Sequence, residues 1–197
     1  MKINKIHYLT KKALKGDIDA AKTVLRYLSR YQINAINVSS YLIVYQIIMN
    51  LYNVLEECKL CNGKCCREGG CIPLYQFDID ELNKVLDNDL LKHFIIKIED
   101  KYYCIPRPCP FLKDYMCTIH RAKPYACLSY PFASEDLQIN VLTNVPDNGY
   151  PQPVIPYHCS AGFKIWNIIT DNIDKFRSKR GRIPKPIELL EMFIDIK

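Results

Sequence analysis

The chain has 197 residues, enough for one compact domain with a helical appendage and too few for two full domains. An apolar fraction of 49% beside 24% charged residues excludes wholesale disorder, and the net charge of +6 comes largely from one basic run near the C-terminus. Ten Cys, about 5% of the residues, fall below the ~8–10% that marks a small disulfide scaffold, so clustered thiols call for another explanation.

Met1 to Lys15 is rich in Lys and has no apolar h-region or small-residue cleavage site, which places the expected location in the cytoplasm. Clustered Cys in that reducing compartment are metal ligands more often than disulfides. The chain is expected to divide into an N-terminal helical segment over 1–57, a cysteine-cluster domain over 58–162, and C-terminal helices with a basic linker over 163–197.

Residues 8–31 read as a basic amphipathic helix, with Leu9, Ala13, Ala21, Val24, Leu25 and Leu28 near helical spacing and a break at Gly16-Asp17. Ser39 or Ser40 is the expected cap of a second helix reaching Glu57, apolar through Leu42, Val44, Ile47, Ile48, Leu51, Val54 and Leu55. A membrane span competes for this stretch, but Gln46, Asn50 and Asn53 interrupt it and favour a buried helix that delivers Cys58 at its end.

Cys58, Cys61, Cys65 and Cys66 then follow in the pattern C-x2-C-x3-C-C. Thiolates suit zinc, copper(I) and iron–sulfur centres, and two Cys two residues apart bend onto one metal through a tight turn. Asn62-Gly63-Lys64 supplies the turn, since Asn and Gly tolerate positive φ. The adjacent pair Cys65-Cys66 fits one ion poorly, so one of the two serves a second centre or packs.

Glu68 to Cys71 reads as a turn and Ile72–Tyr75 as a strand that Pro73 confines to an edge. Asp78-x-x-Glu81 resembles a capping box opening a helix through Leu86, ended by Asp87-Asn88-Asp89, with Asp89 capping a short helix through His93. Ile95–Ile98 and Tyr102–Ile105 flank Glu99-Asp100-Lys101 as a β-hairpin. Pro106, Pro108 and Pro110 stiffen the approach to Cys109, a loop over Lys113-Asp114-Tyr115 leads to Cys117, and His120–Tyr130 is short helix or turn interrupted at Pro124. A strand over Leu137–Leu142 and a Pro-rich loop over Pro146–Pro156 return the chain to Cys159. A helix from Gly162 carries Ile165, Trp166, Ile168, Ile169, Ile173 and Phe176; the cations between Lys175 and Lys185 read as a solvated linker before a last helix, Ile187–Ile194. Nucleic-acid contact is disfavoured there, because no aromatic beyond Phe176 interleaves for base stacking.

The motifs Cys58-x-x-Cys61-x-x-x-Cys65-Cys66, Cys109-Pro110-Phe111-Leu112, Cys117-Thr118-Ile119-His120, Lys123-Pro124-Tyr125-Ala126-Cys127 and Cys159-Ser160-Ala161-Gly162, with Tyr130-Pro131-Phe132, carry a resemblance. In this order they resemble the YkgJ-type cysteine-cluster family, described as zinc- or iron-chelating, over about residues 58–162. The departures are His120 in place of the usual Tyr, Lys123 and Leu128 in place of the usual Arg, and a looser spacing from Cys159 to Gly162. The eight Cys of the pattern are all present.

The resemblance implies a metal site held by Cys58, Cys61, Cys65, Cys66, Cys109, Cys117, Cys127 and Cys159, either an iron–sulfur cluster, with [4Fe–4S] favoured, or zinc. Cys71 and Cys104 lie outside the pattern and read first as buried hydrophobes, then as a disulfide, then as spare ligands. The expected fold is α+β, a mainly helical single domain with a small β-hairpin and irregular cysteine-rich loops. A protein partner, an electron-transfer role and a structural or sensing role all remain open at this point. One alternative is an enzyme, since the cluster also resembles that of flagellin lysine N-methylases; against it, the chain has no glycine-rich nucleotide loop. His120 or His158 beside Cys117 or Cys159 would be the Cys–His pair of such an enzyme. The other alternative is an interaction module stapled by disulfides.

Overall fold

Periodic apolar residues and local caps dictate most of the helices in the computed structural model, which describes residues 3–86, 93–98, 102–132, 141 and 149–194. The chain divides into a helical unit (Met1–Asn53, Ser129–Tyr157 and Ala161–Lys197) and a cysteine-rich unit (Val54–Leu128 and His158–Ser160). The fold is mainly helical with small antiparallel sheets, in line with the expected α+β class.

In the helical unit, α1 (Ile3–Leu14) and α2 (Ile18–Leu28) are separated where the sequence places a break. Gly16 takes a left-handed φ of 96°, and the Asp17 carboxylate caps α2 by accepting the Ala20 N–H at 2.9 Å. α3 spans Asn34–Leu51 and therefore starts well before the expected Ser cap. Ser39 and Ser40 instead donate to the carbonyls of Ala35 (2.7 Å) and Ile36 (2.8 Å), one turn back, as interior serines do. The helix also stops short of Glu57: Tyr52 turns extended and its ring meets Phe193 edge-on at 6.4 Å, a tertiary contact that overrides the apolar periodicity. Among the described residues no helix is long and apolar enough to cross a membrane.

Two C-terminal helices complete this unit. α8 (Ser160–Arg180) buries Ile165, Ile169 and Ile173, one turn apart, and α9 (Pro186–Ile194) buries Leu189, Leu190 and Phe193. The expected basic linker is mostly helix, because Lys175 to Arg180 continue α8 until Gly181, at φ 69°, ends it. Two of its cations are engaged: Arg177 lies 5.8 Å from the Tyr150 ring centre and Arg182 pairs with Glu188 at 2.7 Å. The fully buried Tyr45 sits amid Tyr41, Phe132 and Trp166, with ring centres 5.2–6.2 Å away, and donates to the Pro151 carbonyl at 3.0 Å.

In the cysteine-rich unit, two short helices, α4 (Leu55–Leu60) and α5 (Lys64–Arg67), precede β1 (Ile72–Leu74) and α6 (Gln76–Leu82). β2 (Ile96–Ile98) and β3 (Tyr102–Ile105) form the expected hairpin strands, and β1 joins β3 to give the antiparallel order β1-β3-β2. Pro73 sits on the β1 edge, where a missing N–H does no harm. A disulfide links Cys71 to Cys104 across this edge, with 5.7 Å between Cα atoms, so the pair is not two separate buried hydrophobes. Next come β4 (Leu112–Lys113) and β5 (Met116–Cys117), a 3-10 turn over His120–Ala122, and α7 (Tyr125–Ser129) directly after Pro124. Ile72, Leu74, Leu82, Ile105, Phe111, Ile119 and Ala122 form the core, against which Cys109, Cys117 and Cys127 pack.

The helix end at 87–89, the short helix from Asp89, the hairpin turn at 99–101 and the strand over 137–142, except for the helical Val141, fall outside the described residues.

Tyr41 and Tyr45 give the helical unit an alkaline limit. Tyr41 donates to the Pro184 carbonyl at 2.8 Å, and burial, reinforced by Glu188, pushes its phenol up to about 12; burial raises Tyr45 as well. The unfolded phenols ionise near 10.0, so this stabilisation is complete below that pH and is lost as pH rises toward about 12. Urea midpoints measured across this window should fall steeply for the native protein and less steeply for Tyr41→Phe/Tyr45→Phe.

Candidate metal centre

Four of the eight pattern Cys come from the α4–α5 segment. Cys58 lies within α4 and Cys61 ends it, rather than Cys58 ending the long α3 helix as expected. Asn62 and Gly63, with φ of 50° and 60°, reverse the chain so that the Gly63 N–H donates to the Cys58 carbonyl (3.0 Å) and the Cys66 N–H to Gly63 (2.8 Å). The positive φ anticipated from Asn-Gly is therefore present. α5 then carries Cys65 and Cys66, and the Cys65 thiol donates to the Cys66 sulfur.

Cys109 and Cys117 flank the β4–β5 hairpin, where a plain loop was expected. Asp114, at φ 57°, makes its turn, and Leu112 pairs with Cys117 across it. The N–H groups of Phe111 and Ile119 donate to the sulfurs of Cys109 and Cys117, each two residues earlier. Such amides favour thiolate, the form that binds metal.

Three ties hold the first segment against this hairpin. The Cys109 N–H donates to the Cys66 carbonyl at 2.7 Å. Arg67 donates to the carbonyls of Asn62 (2.8 Å) and Asp114 (2.6 Å), joining the two turns. Gly63 is buried so closely that an added Cβ would lie 3.2 Å from Leu112 Cδ1. The sequence marked Gly63 for its turn, yet its packing and the role of Arg67 carried no motif signal.

Cys127 is positioned from another direction. The fully buried Asp78 carboxylate accepts the Tyr75 N–H through one oxygen and the Tyr125 N–H through the other, both at 2.9 Å. Asp78 therefore lies in the first turn of α6 and reaches back over its start, instead of opening the helix as the expected N-cap. Its second bond fixes the start of α7 two residues before Cys127. Cys159, buried, precedes the first residue of α8.

None of the eight pattern Cys is in a disulfide, and all belong to the cysteine-rich unit. Each field reaches the next: Cys66 acts on Cys58, Cys65, Cys109, Cys117 and Cys127, Cys61 acts on Cys58, and Cys159 acts on Cys65. Burial raises Cys58, Cys109 and Cys117, and pushes Cys127 up to about 12. Cys66 is lowered, first by the bond from Cys65 and then by Lys123, Arg107 and Arg67; Cys65, the donor, is raised. Lys123, a half-buried cation, also acts to lower Cys58, Cys117 and Cys127. Among the described residues no three His, Cys, Asp or Glu side chains already stand in a metal-holding arrangement. The donor chemistry fits a soft thiophilic metal: reduced thiols, amide-supported sulfurs and nearby cations that offset thiolate charge.

A small mainly helical fold with these thiols defines the class of a cysteine-cluster chelating protein. Residues 57–147 match the model of the CxxCxxCC family, described as "Putative zinc- or iron-chelating domain". The match agrees with the resemblance carried by the cysteine motifs. No curated protein and no solved structure matches the chain.

Asp78 is the residue on which the Cys127 side depends. Asp78→Ala strands two backbone donors and should lower the unfolding free energy in urea by about 2–3 kcal/mol, at ~1–3 kcal/mol per buried unsatisfied group. Asp78→Asn, which keeps one acceptor oxygen, should lose less.

Proposed function

We propose that the cysteine-rich unit holds a thiolate-ligated iron–sulfur cluster of the [4Fe–4S] type and serves as an electron-transfer or sensing protein. The observation that carries this reading is the set of eight Cys outside any disulfide in one unit, drawn from the α4–α5 segment, the β4–β5 hairpin and its approach, α7 and the residue before α8. Four of Cys58, Cys61, Cys65, Cys66, Cys109, Cys117, Cys127 and Cys159 would hold the cluster. Zinc commonly sits between two short C-x2-C turns, whereas this chain has one such turn and takes its other thiols from α5, the β4–β5 hairpin and its approach, α7 and the residue before α8. Iron–sulfur clusters accept ligands dispersed in this way. When bound, the cluster supplies a redox couple tuned by hydrogen bonds to sulfur and by exposure.

The chain's own residues would do the rest. The Phe111 and Ile119 amides orient and stabilise the sulfurs of Cys109 and Cys117, while Lys123, Arg107 and Arg67 offset negative charge at Cys66. Metal binding in such a unit draws thiols together and adds to folding free energy.

Protein purified without oxygen should contain iron and acid-labile sulfide and show a broad visible band that bleaches with dithionite. Cys61→Ser or Cys117→Ser should lower the metal-to-protein ratio severalfold; Cys104→Ser, which removes a disulfide partner, should leave it unchanged. Stoichiometric zinc without sulfide overturns the redox reading in favour of a zinc-stabilised scaffold. Absence of both metals overturns chelation by this chain.

A further inference from the structure

The helical unit contains a cavity of about 750 Å³, within the ~300–1,000 Å³ range of small-molecule sites. Every residue lining it belongs to that unit. Its inner surface is apolar, with buried Leu25 and Tyr41 and half-buried Ile183 and Ile187. Its rim is cationic: Arg26, Arg182 and Lys185 line it, and among the described residues no Asp or Glu does.

The nearby charges make this rim suited to an anion. Glu188, outside the lining, is matched by two bonds from Arg182 (2.8 and 2.7 Å) and one from the Lys185 N–H (2.8 Å). The Arg26 guanidinium has no carboxylate partner among the described residues. Tyr41 spends its hydroxyl proton on the Pro184 carbonyl and stays a neutral phenol. The helix ends add to the same field. First-turn residues of α3 and α9 line the cavity, and Ile33, the N-cap of α3, supplies no side-chain cap. The opposing C-terminus of α2 is internally satisfied: the Ser29 N–H takes the Leu25 carbonyl (2.9 Å), the Ser29 hydroxyl takes Arg26 (3.0 Å), and Arg30 and Tyr31 take Tyr27 (3.3 Å) and Leu28 (3.0 Å).

We propose that this cavity binds a small organic anion with an apolar body, a carboxylate or phosphate ester whose charge lies at Arg26 and Lys185 and whose apolar part covers Leu25, Tyr41 and Ile183. This site is independent of the cysteine cluster. Its ligand is recognised by the combination of charge and apolar surface, which neither inorganic phosphate nor a neutral hydrocarbon supplies alone.

Fluorescence titration of the full chain with anilinonaphthalene sulfonate tests this, with phenylnaphthylamine as the same ring system lacking the charge. The sulfonate should bind saturably at one site, raise the thermal midpoint, and weaken as salt screens the rim. The neutral dye should bind at least ~10-fold more weakly, a difference of about 1.4 kcal/mol. Arg26→Gln, at an exposed and unpaired side chain, should weaken the sulfonate about 5- to 10-fold without changing the midpoint of the free protein, and Arg26→Lys should restore most of the affinity. Displacement by octyl phosphate or by octanoate then tells the two headgroups apart. Equal affinity for both dyes, indifference to Arg26→Gln, a lowered midpoint, or displacement by neither octyl compound would each overturn the proposal.

Discussion

The Cys109 N–H to Cys66 carbonyl hydrogen bond, 2.7 Å long, joins the two halves of the cysteine pattern that the sequence keeps more than forty residues apart. Without it, the Asn62-Gly63 turn and the β4–β5 hairpin would be separate local structures, each holding a few thiols. Arg67 and the missing side chain of Gly63 work at the same junction. A backbone bond, a forked guanidinium and a close glycine contact constrain different degrees of freedom. Together they restrict both the separation and the rotation of the two turns, so less order must be gained when a metal is taken up.

The core of this unit serves the same end. β1, β3 and α6 bury Ile72, Leu74, Ile105 and Leu82, and against that apolar surface lie Cys109, Cys117 and Cys127. Sulfur packs well there, but burial also raises the thiol pKa. The amides of Phe111 and Ile119 oppose that rise locally, and Lys123 opposes it at several sulfurs together. The unit thus sets burial, which raises these thiols, against fixed amides and a cation that act in the opposite direction.

What the sequence disclosed follows the range of the interaction involved. Asn62-Gly63, the Gly16-Asp17 break, the edge position of Pro73 and the β2–β3 strands depend on dihedral preference or on alternation within a few residues, and all were legible. The motif order identified the family for the same reason, since spacing is itself a sequence property. The Ser39–Ser40 cap and the helix end at Glu57 failed where side chains bonded back one turn, or where Tyr52 found Phe193. The β4–β5 hairpin was missed because its strands have two residues each and Asp114 does the work usually signalled by Gly. Bonds such as Asp78 to Tyr125, and the Cys71–Cys104 disulfide, join residues 47 and 33 positions apart; no local pattern encodes them.

Long-range placement also separates two positions beside the cysteine motifs. Leu128 is only 6% exposed, so it belongs to the interior. Lys123 is a half-buried cation whose field reaches Cys58, Cys66, Cys117 and Cys127. Arg differs from Lys chiefly in its planar fork, which rewards a carboxylate or phosphate that accepts two parallel bonds. Sulfurs dispersed around one cation present no such planar partner, and a compact ammonium can act on all of them by charge alone. Lys123 therefore lowers several neighbouring sulfurs by charge, without needing the planar geometry of a guanidinium.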